Sequence, residues 1–190
     1  MKRKKLTASM IALVMSVSLP MTTYAANWYL EDGSVTVNAD NSGQTVTQGG
    51  TSTPDEAPVI TQRESSVETG NTIGISTSDN ATANVTIKDI NIKSSKDAID
   101  VTGSSSANIT LEGDNKIFSE TGSALHVSDG NVTINGSGSL KAEIQDEPSG
   151  YNHNAKIGSH ENEKMSGIIH ITGNATVTTQ DDNARADDHI

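Results

Sequence analysis

The chain has no cysteine among its 190 residues, which excludes disulfide staples, thiolate metal sites and cysteine nucleophiles. Aromatics are scarce, at 3% of residues with one Trp and one Phe, which argues against a strong lectin built on stacked rings. No apolar run is long enough to span a bilayer. No Gly-x-Ser-x-Gly, P-loop or dinucleotide fingerprint occurs. Basic residues are few, 13 against 24 acidic. The hydrophobic fraction, 33%, is low for a globular chain but above that of disordered ones. What remains is Val, Ile and Ala interleaved with Thr, Ser, Asn and Gly. That composition makes many short strands joined by tight turns. The length suits one domain with a real core.

Residues 1–25 read as a signal peptide. Lys2, Arg3, Lys4 and Lys5 form a basic head, Ile11 to Leu19 a short apolar run, and Thr23-Tyr24-Ala25 a small-residue cleavage site. Cleavage after Ala25 is expected, and with it a secreted or cell-surface location on a bacterium. The remaining chain holds 9 basic against 24 acidic residues, a net of −15. That charge opposes nucleic acid and anionic membrane surfaces as partners. No membrane insertion is expected once the leader is removed.

A phrase recurs from residue 84: Asn84-Val85-Thr86-Ile87, Asn108-Ile109-Thr110-Leu111, Asn131-Val132-Thr133-Ile134 and, more loosely, Ile169-His170-Ile171-Thr172. Val85 to Ile109 spans 24 residues and Ile109 to Val132 spans 23, whereas the step to Ile169 is 37. Each unit holds further alternating phrases. Ile90-Asn91-Ile92 and Ile99-Asp100-Val101 follow the first. Ile117-Phe118 and Leu125-His126-Val127 follow the second. Leu140-Lys141-Ala142 and Ala155-Lys156-Ile157 follow the third. Three short strands in about 23–24 residues predict an all-β, single-stranded parallel β-helix, each strand pairing with its equivalent one coil away. A β-sandwich or an up-and-down barrel would space its turns similarly, but neither demands the same phrase every third strand.

The alternation points Val85, Ile87, Ile109, Leu111, Val132, Ile134, Ile169 and Ile171 inward. Thr86, Thr110, Thr133 and His170 then form an outward ladder. Ile109 is expected directly between Val85 and Val132. Asn84, Asn108 and Asn131 read as corner residues. Residues 26–80 are less regular and read as an N-terminal cap with irregular first coils. Trp28-Tyr29-Leu30 is expected over the open end, and Gly49 to Glu56 as a loop. Coils fill 81–180 with an insertion near 143–156. Residues 181–190 read as an acidic polar tail or a truncated coil.

Several of these phrases occur together and in order: Trp28 to Val37, Val59-Ile60-Thr61-Gln62, Ala83 to Ile92 and Asn108 to Asn115. The chain thereby resembles the repetitive secreted surface proteins of Gram-positive bacteria that are labelled carbohydrate-binding domain proteins. The likeness covers most of residues 28–179 and implies display at a cell surface and binding of glycans. It implies no catalytic residues. The chain departs from the pattern at Asn154-Ala155-Lys156-Ile157-Gly158-Ser159-His160, where the family carries a glycine-rich phrase.

Three groups of residues bear on chemistry. Asp100, His126 and Lys156 fall at equivalent outward positions about 4.8 Å apart, which suits either an acid/base array or a surface charge ladder. The stretch 143–163 is the best loop for recognition. Tyr151, His153, His160 and Glu161 are its candidate ligand-binding residues, and its spacing matches no known metal motif. Asp79, Asp89, Asp97, Asp114 and Asp129 sit near turns, where calcium is considered, although the Gly-Gly-x-Gly-x-Asp repeat is missing. No other cofactor and no metal site is expected. The sequence thus predicts a non-catalytic extracellular module for glycans or another surface polymer. The alternatives are a structural spacer in a longer surface protein and a polysaccharide lyase or hydrolase. Exposed end strands would favour end-to-end self-association.

Overall fold

The computed structural model describes residues 25–145, 154–163 and 167–179. The leader up to residue 24, Tyr151, His153 and the segment 181–190 lie outside the described residues.

Strands dominate because apolar and polar side chains alternate along nearly every segment. The first part holds β1 (Asn27–Tyr29), a 3-10 turn (Leu30–Asp32), β2 (Val35–Asp40), β3 (Gly43–Gln48), β4 (Thr51–Pro54), β5 (Val59–Thr61) and β6 (Ile73–Thr77). The middle holds β7 (Thr82–Lys88), β8 (Asn91–Ser94), β9 (Ile99–Thr102), β10 (Ser106–Glu112), β11 (Asp114–Ser119) and β12 (Leu125–Val127). Then follow β13 (Asn131–Gly136), β14 (Ser139–Ile144), β15 (Ile157–Gly158), β16 (Ile168–Ile171) and β17 (Thr176–Thr179).

The protein is all-β, with three mainly parallel sheets. Sheet I has the order β1-β5-β7-β10-β13-β16, sheet II β17-β14-β11-β8, and sheet III β15-β12-β9-β6-β2-β3-β4. Among the described residues, only β2, β3 and β4 pair antiparallel. From β6 onward the chain visits sheets III, I and II in strict rotation, so each strand after β8 pairs with the one laid down a pass earlier. The connections between passes follow the same rule. The amides of Val35, Ile73, Ile99 and Leu125 donate to the carbonyls of Thr72, Ala98, Ala124 and Lys156, each at 3.0 Å.

One face of each sheet turns toward a shared core. Val85, Ile87, Ile109, Leu111, Val132 and Ile134 are buried there from sheet I, Ile92, Ile117 and Ala142 from sheet II, and Ile75, Ile99, Leu125 and Val127 from sheet III. Each buried aliphatic side chain stabilises by roughly 1.5–3 kcal/mol before chain entropy is subtracted. In the last strand of sheet I the pattern weakens, and Ile168 and Ile171 are more than half exposed.

The inward parity matches the sequence reading, but the register corrects it. Ile109 lies between Val85 and Ile134, not between Val85 and Val132. Val132 lies between Ala107 and Ile169. The outward threonines therefore split into two rows, Thr86–Thr110–Asn135 and Asn84–Asn108–Thr133–His170. Asn84 and Asn108 are not corner residues: they stand within β7 and β10, and the Asn108 side-chain amide donates to Asn84 Oδ1 at 3.0 Å. The left-handed corners belong to Asp79, Asn80, Asp89, Asn162 and to glycines.

The N-terminal region is more regular than its sequence suggests. Gly49 to Glu56 is not simply a loop, because Thr51–Pro54 forms β4 against β3. Trp28 stands in β1, parallel to β5, and its indole N–H donates to Asp55 Oδ2 at 2.9 Å. Leu30 behind it is fully buried.

Candidate functional site

The register of sheet III decides the fate of the proposed Asp100–His126–Lys156 ladder. β9 and β12 pair Asp100 with His126, and β12 and β15 pair His126 with Gly158. Lys156 is therefore displaced by two residues from its expected place. Ile157, not Ala155, lies opposite Leu125. Asp100 and His126 do interact: Asp100 Oδ1 is 2.7 Å from His126 Nδ1.

Gly158 leaves the rung above His126 without a side chain, and the following segment supplies His126's remaining partners. Glu163 Oε2 is 2.7 Å from His126 Nε2. The His160 ring stacks on the His126 ring with centroids 4.0 Å apart and planes within 6°. His160 Nε2 is 2.7 Å from Asp97 Oδ1, which also accepts the Ser123 amide at 2.8 Å. Although it sits on an outward position, the His126 side chain is only 8% exposed. Burial alone pushes its pKa down, but hydrogen bonds to Glu163 and Asp100 and the negative charge of both carboxylates raise it overall. The Glu163 carboxyl is held below its ordinary range, chiefly by the hydrogen bond from His126. Neither His126 nitrogen is free, so the ring lacks the open face a general base needs.

The remaining named residues separate. His160 joins the cluster, whereas Glu161 is exposed and its amide donates to Asn154 Oδ1 at 2.8 Å. Tyr151 and His153 fall outside the described residues. The turn aspartates are spread along the molecule: Asp89 Oδ1 accepts the Asp114 amide, and Asp114 Oδ1 accepts the Ser139 hydroxyl. Among the described residues, Asp97, His126 and His160 are the group whose ligand atoms converge.

Sheet II carries a second candidate site that the sequence reading did not single out. Its outward positions form two rows across β8, β11 and β14. Asn91, Lys116 and Lys141 make one row, and Lys93, Phe118 and Glu143 the other. A shallow groove of about 240 Å³ runs over the second row, walled by Glu68. An adjoining groove of about 450 Å³ is lined by Ser65, Asp114, Asn115, Lys116, Ser139 and Lys141. Lys93 Nζ lies 5.6 Å above the Phe118 ring and 3.9 Å from Glu68. Lys141 pairs with Glu143 at 2.6 Å. Lys116 has no carboxylate partner among the described residues, and it faces Lys141 directly across the strands. The signal was present in the sequence: lining up Ile92, Ile117 and Ala142 as inward residues would have produced both rows.

Comparison with known proteins adds no assignment: no protein-family model matches the chain, nor does any curated protein or solved structure.

Proposed function

We propose that the protein is a secreted, non-catalytic module that binds acidic carbohydrate on the outer face of sheet II, and that its three sheets are the sides of a parallel β-helix. The strict rotation through parallel sheets supports the β-helix, because a sandwich is built from antiparallel strands. The basic head and short apolar run at the N-terminus support export.

The observation that carries the binding reading is Lys116 opposite Lys141 beside Phe118. Like charges directly opposite each other destabilise a sheet, and Glu143 compensates only the Lys141 side of this pair. Here they stand together in a chain whose acidic residues greatly outnumber its basic ones. An anionic ligand removes that repulsion, and a uronate or sulfate between the two ammonium groups forms charge-assisted hydrogen bonds. The Phe118 ring, two residues further along β11 at the next outward position, offers a flat apolar surface for a sugar ring. The groove runs across strands, so one chain of sugars would contact several passes.

The test is calorimetric titration with uronic-acid and neutral oligosaccharides of equal length. Binding of the acidic series alone is expected, weakening as salt rises. Lys116→Ala and Phe118→Ala should each reduce affinity by roughly tenfold, the loss of about 1.4 kcal/mol. Failure of a folded sample to bind any glycan would favour a structural spacer, and release of new reducing ends would overturn the non-catalytic reading.

A further inference from the structure

We infer that Asp97, His126, His160 and Glu163 form a site for one divalent transition-metal ion, with zinc the best match to the donor set. This inference is independent of glycan binding on sheet II, because the site stands on sheet III and the segment that follows it.

The geometry of His126 is the starting point. Both of its ring nitrogens lie 2.7 Å from carboxylate oxygens, Nδ1 from Asp100 and Nε2 from Glu163. A neutral imidazole donates from one nitrogen only. The other would then aim its lone pair at a carboxylate, so a positive charge has to lie between them. That charge is either a second proton or a metal ion. Donation of Nδ1–H to Asp100 fixes the tautomer that leaves the Nε2 lone pair directed at Glu163. This is how an outer carboxylate orients a metal-bound histidine.

Three of the four donors are already gathered, and Glu163 stands beside them. Ligand atoms of Asp97, His126 and His160 lie within 4.8 Å of one another. Glu163 Oε2 is 3.9 Å from His160 Nδ1. Two imidazole nitrogens and two carboxylate oxygens suit tetrahedral zinc at roughly 2.0–2.2 Å. Calcium prefers six to eight oxygens, and copper(I) prefers sulfur. Three carboxylates surround two histidines, so a dication also lowers the local excess of negative charge.

Two rearrangements are required. The 2.7 Å contacts of His126 with Glu163 and of His160 with Asp97 are hydrogen-bond distances, and two ligand atoms of a tetrahedral ion stand about 3.3–3.5 Å apart, so both contacts must open. Two parallel rings with centroids 4.0 Å apart cannot both hold the same ion in their planes. His126 is packed, whereas the His160 side chain is 35% exposed, so His160 is the ring that turns. The ion would replace a stacked pair by a coordinated pair. With four protein ligands no position stays open, so the ion acts as a clamp holding residues 160–163 to β12 and to the turn before β9 rather than as a catalyst.

The experiment uses the mature full chain at pH 7, titrated with zinc and followed by calorimetry and thermal unfolding. One ion per chain is expected, and a rise in unfolding midpoint on the order of 5–10 °C at a hundredfold excess over Kd. Cobalt(II) in place of zinc should give the intense visible absorption of a tetrahedral site. His160→Ala, at a position about a third exposed that should fold, is expected to lower affinity more than tenfold. Asp100→Asn should lower it by roughly 10–100-fold without removing a ligand. His170→Ala, on the opposite sheet, should change nothing. Absence of zinc binding, or zinc affinity that survives both His160→Ala and Asp97→Asn, overturns the assignment. So does affinity that depends on His170.

Discussion

Gly103→Ala is expected to cost about 2–5 kcal/mol, a large share of the stability of a domain this size. Gly103 follows β9 directly and sits at φ +100°, where L side chains are strained. Its Cα also faces the backbone of Thr77 in the preceding pass, and a Cβ would overlap the Thr77 carbonyl. Backbone cannot swing aside as a flexible side chain can, so β6 and β9 would have to separate. The two contributions are about 1–2 kcal/mol for the dihedral and about 1–3 kcal/mol for overpacking. Gly49→Ala isolates the first. Gly49 is also left-handed, at φ +57°, but no atom lies within 4 Å of where its Cβ would stand. It should lose only about 1 kcal/mol. Urea unfolding of the two variants reads both values, with the slope unchanged if the native state keeps its shape. Equal losses would mean that contact between passes contributes nothing at Gly103.

This closeness between passes explains what could be read in the sequence. Inward parity was legible because a strand's side chains alternate with period two, and an aliphatic residue on the wrong face is costly. Register was not, because a slip of two residues keeps every side chain on its own face. Ile109 can meet Val132 or Ile134 without any change in hydrophobic pattern, and Leu125 can meet Ala155 or Ile157. The structure selects Ile134 and Ile157. In the second case the larger side chain stacks on Leu125. One slip of this kind moved Lys156 out of the ladder and brought Gly158 into it. The candidate metal site was legible in part for the same reason. Asp100 and His126 are equivalent positions in adjacent passes. Asp97 and His160, 63 residues apart, meet only once the 154–163 segment folds back over sheet III.

Buried polar residues were the least legible part. Gln44 has nothing in its sequence context to separate it from an ordinary exposed glutamine. In the structure it is buried, and its amide pairs with both the N–H and the C=O of Asn84, as a neighbouring strand would. Gln62 serves Asn91 similarly, accepting its amide hydrogen. Both side chains complete sheet edges where no strand reaches, and such roles depend on distant backbone.

Asn115→Leu is the second large expected loss, about 2–4 kcal/mol. Asn115 is 1% exposed and stands in an interior row with Leu140 and Val177. Hydrophobic bookkeeping alone would favour leucine there. The amide, however, bonds three separate stretches of backbone. Its Nδ2 donates to the carbonyls of Glu112 at 3.1 Å and Ser139 at 2.9 Å, and its Oδ1 accepts the Ile90 amide at 3.3 Å. These groups belong to three successive passes, so one side chain ties the corner between sheets I and II together. Leucine would leave all three without that partner, at about 1–3 kcal/mol each, offset in part by its own burial. Asn115→Asp separates polarity from donation. Its carboxylate would face two carbonyl oxygens, which raises its pKa above the unfolded value near 3.9. The variant should therefore come closest to wild type below pH 3.9, where the protonated acid still donates one hydrogen bond. It should lose stability as pH rises through the folded pKa. Urea unfolding at pH 3.5 and pH 7 measures this. A leucine variant as stable as wild type, or an aspartate variant whose deficit does not change with pH, would show that the corner is held by packing alone.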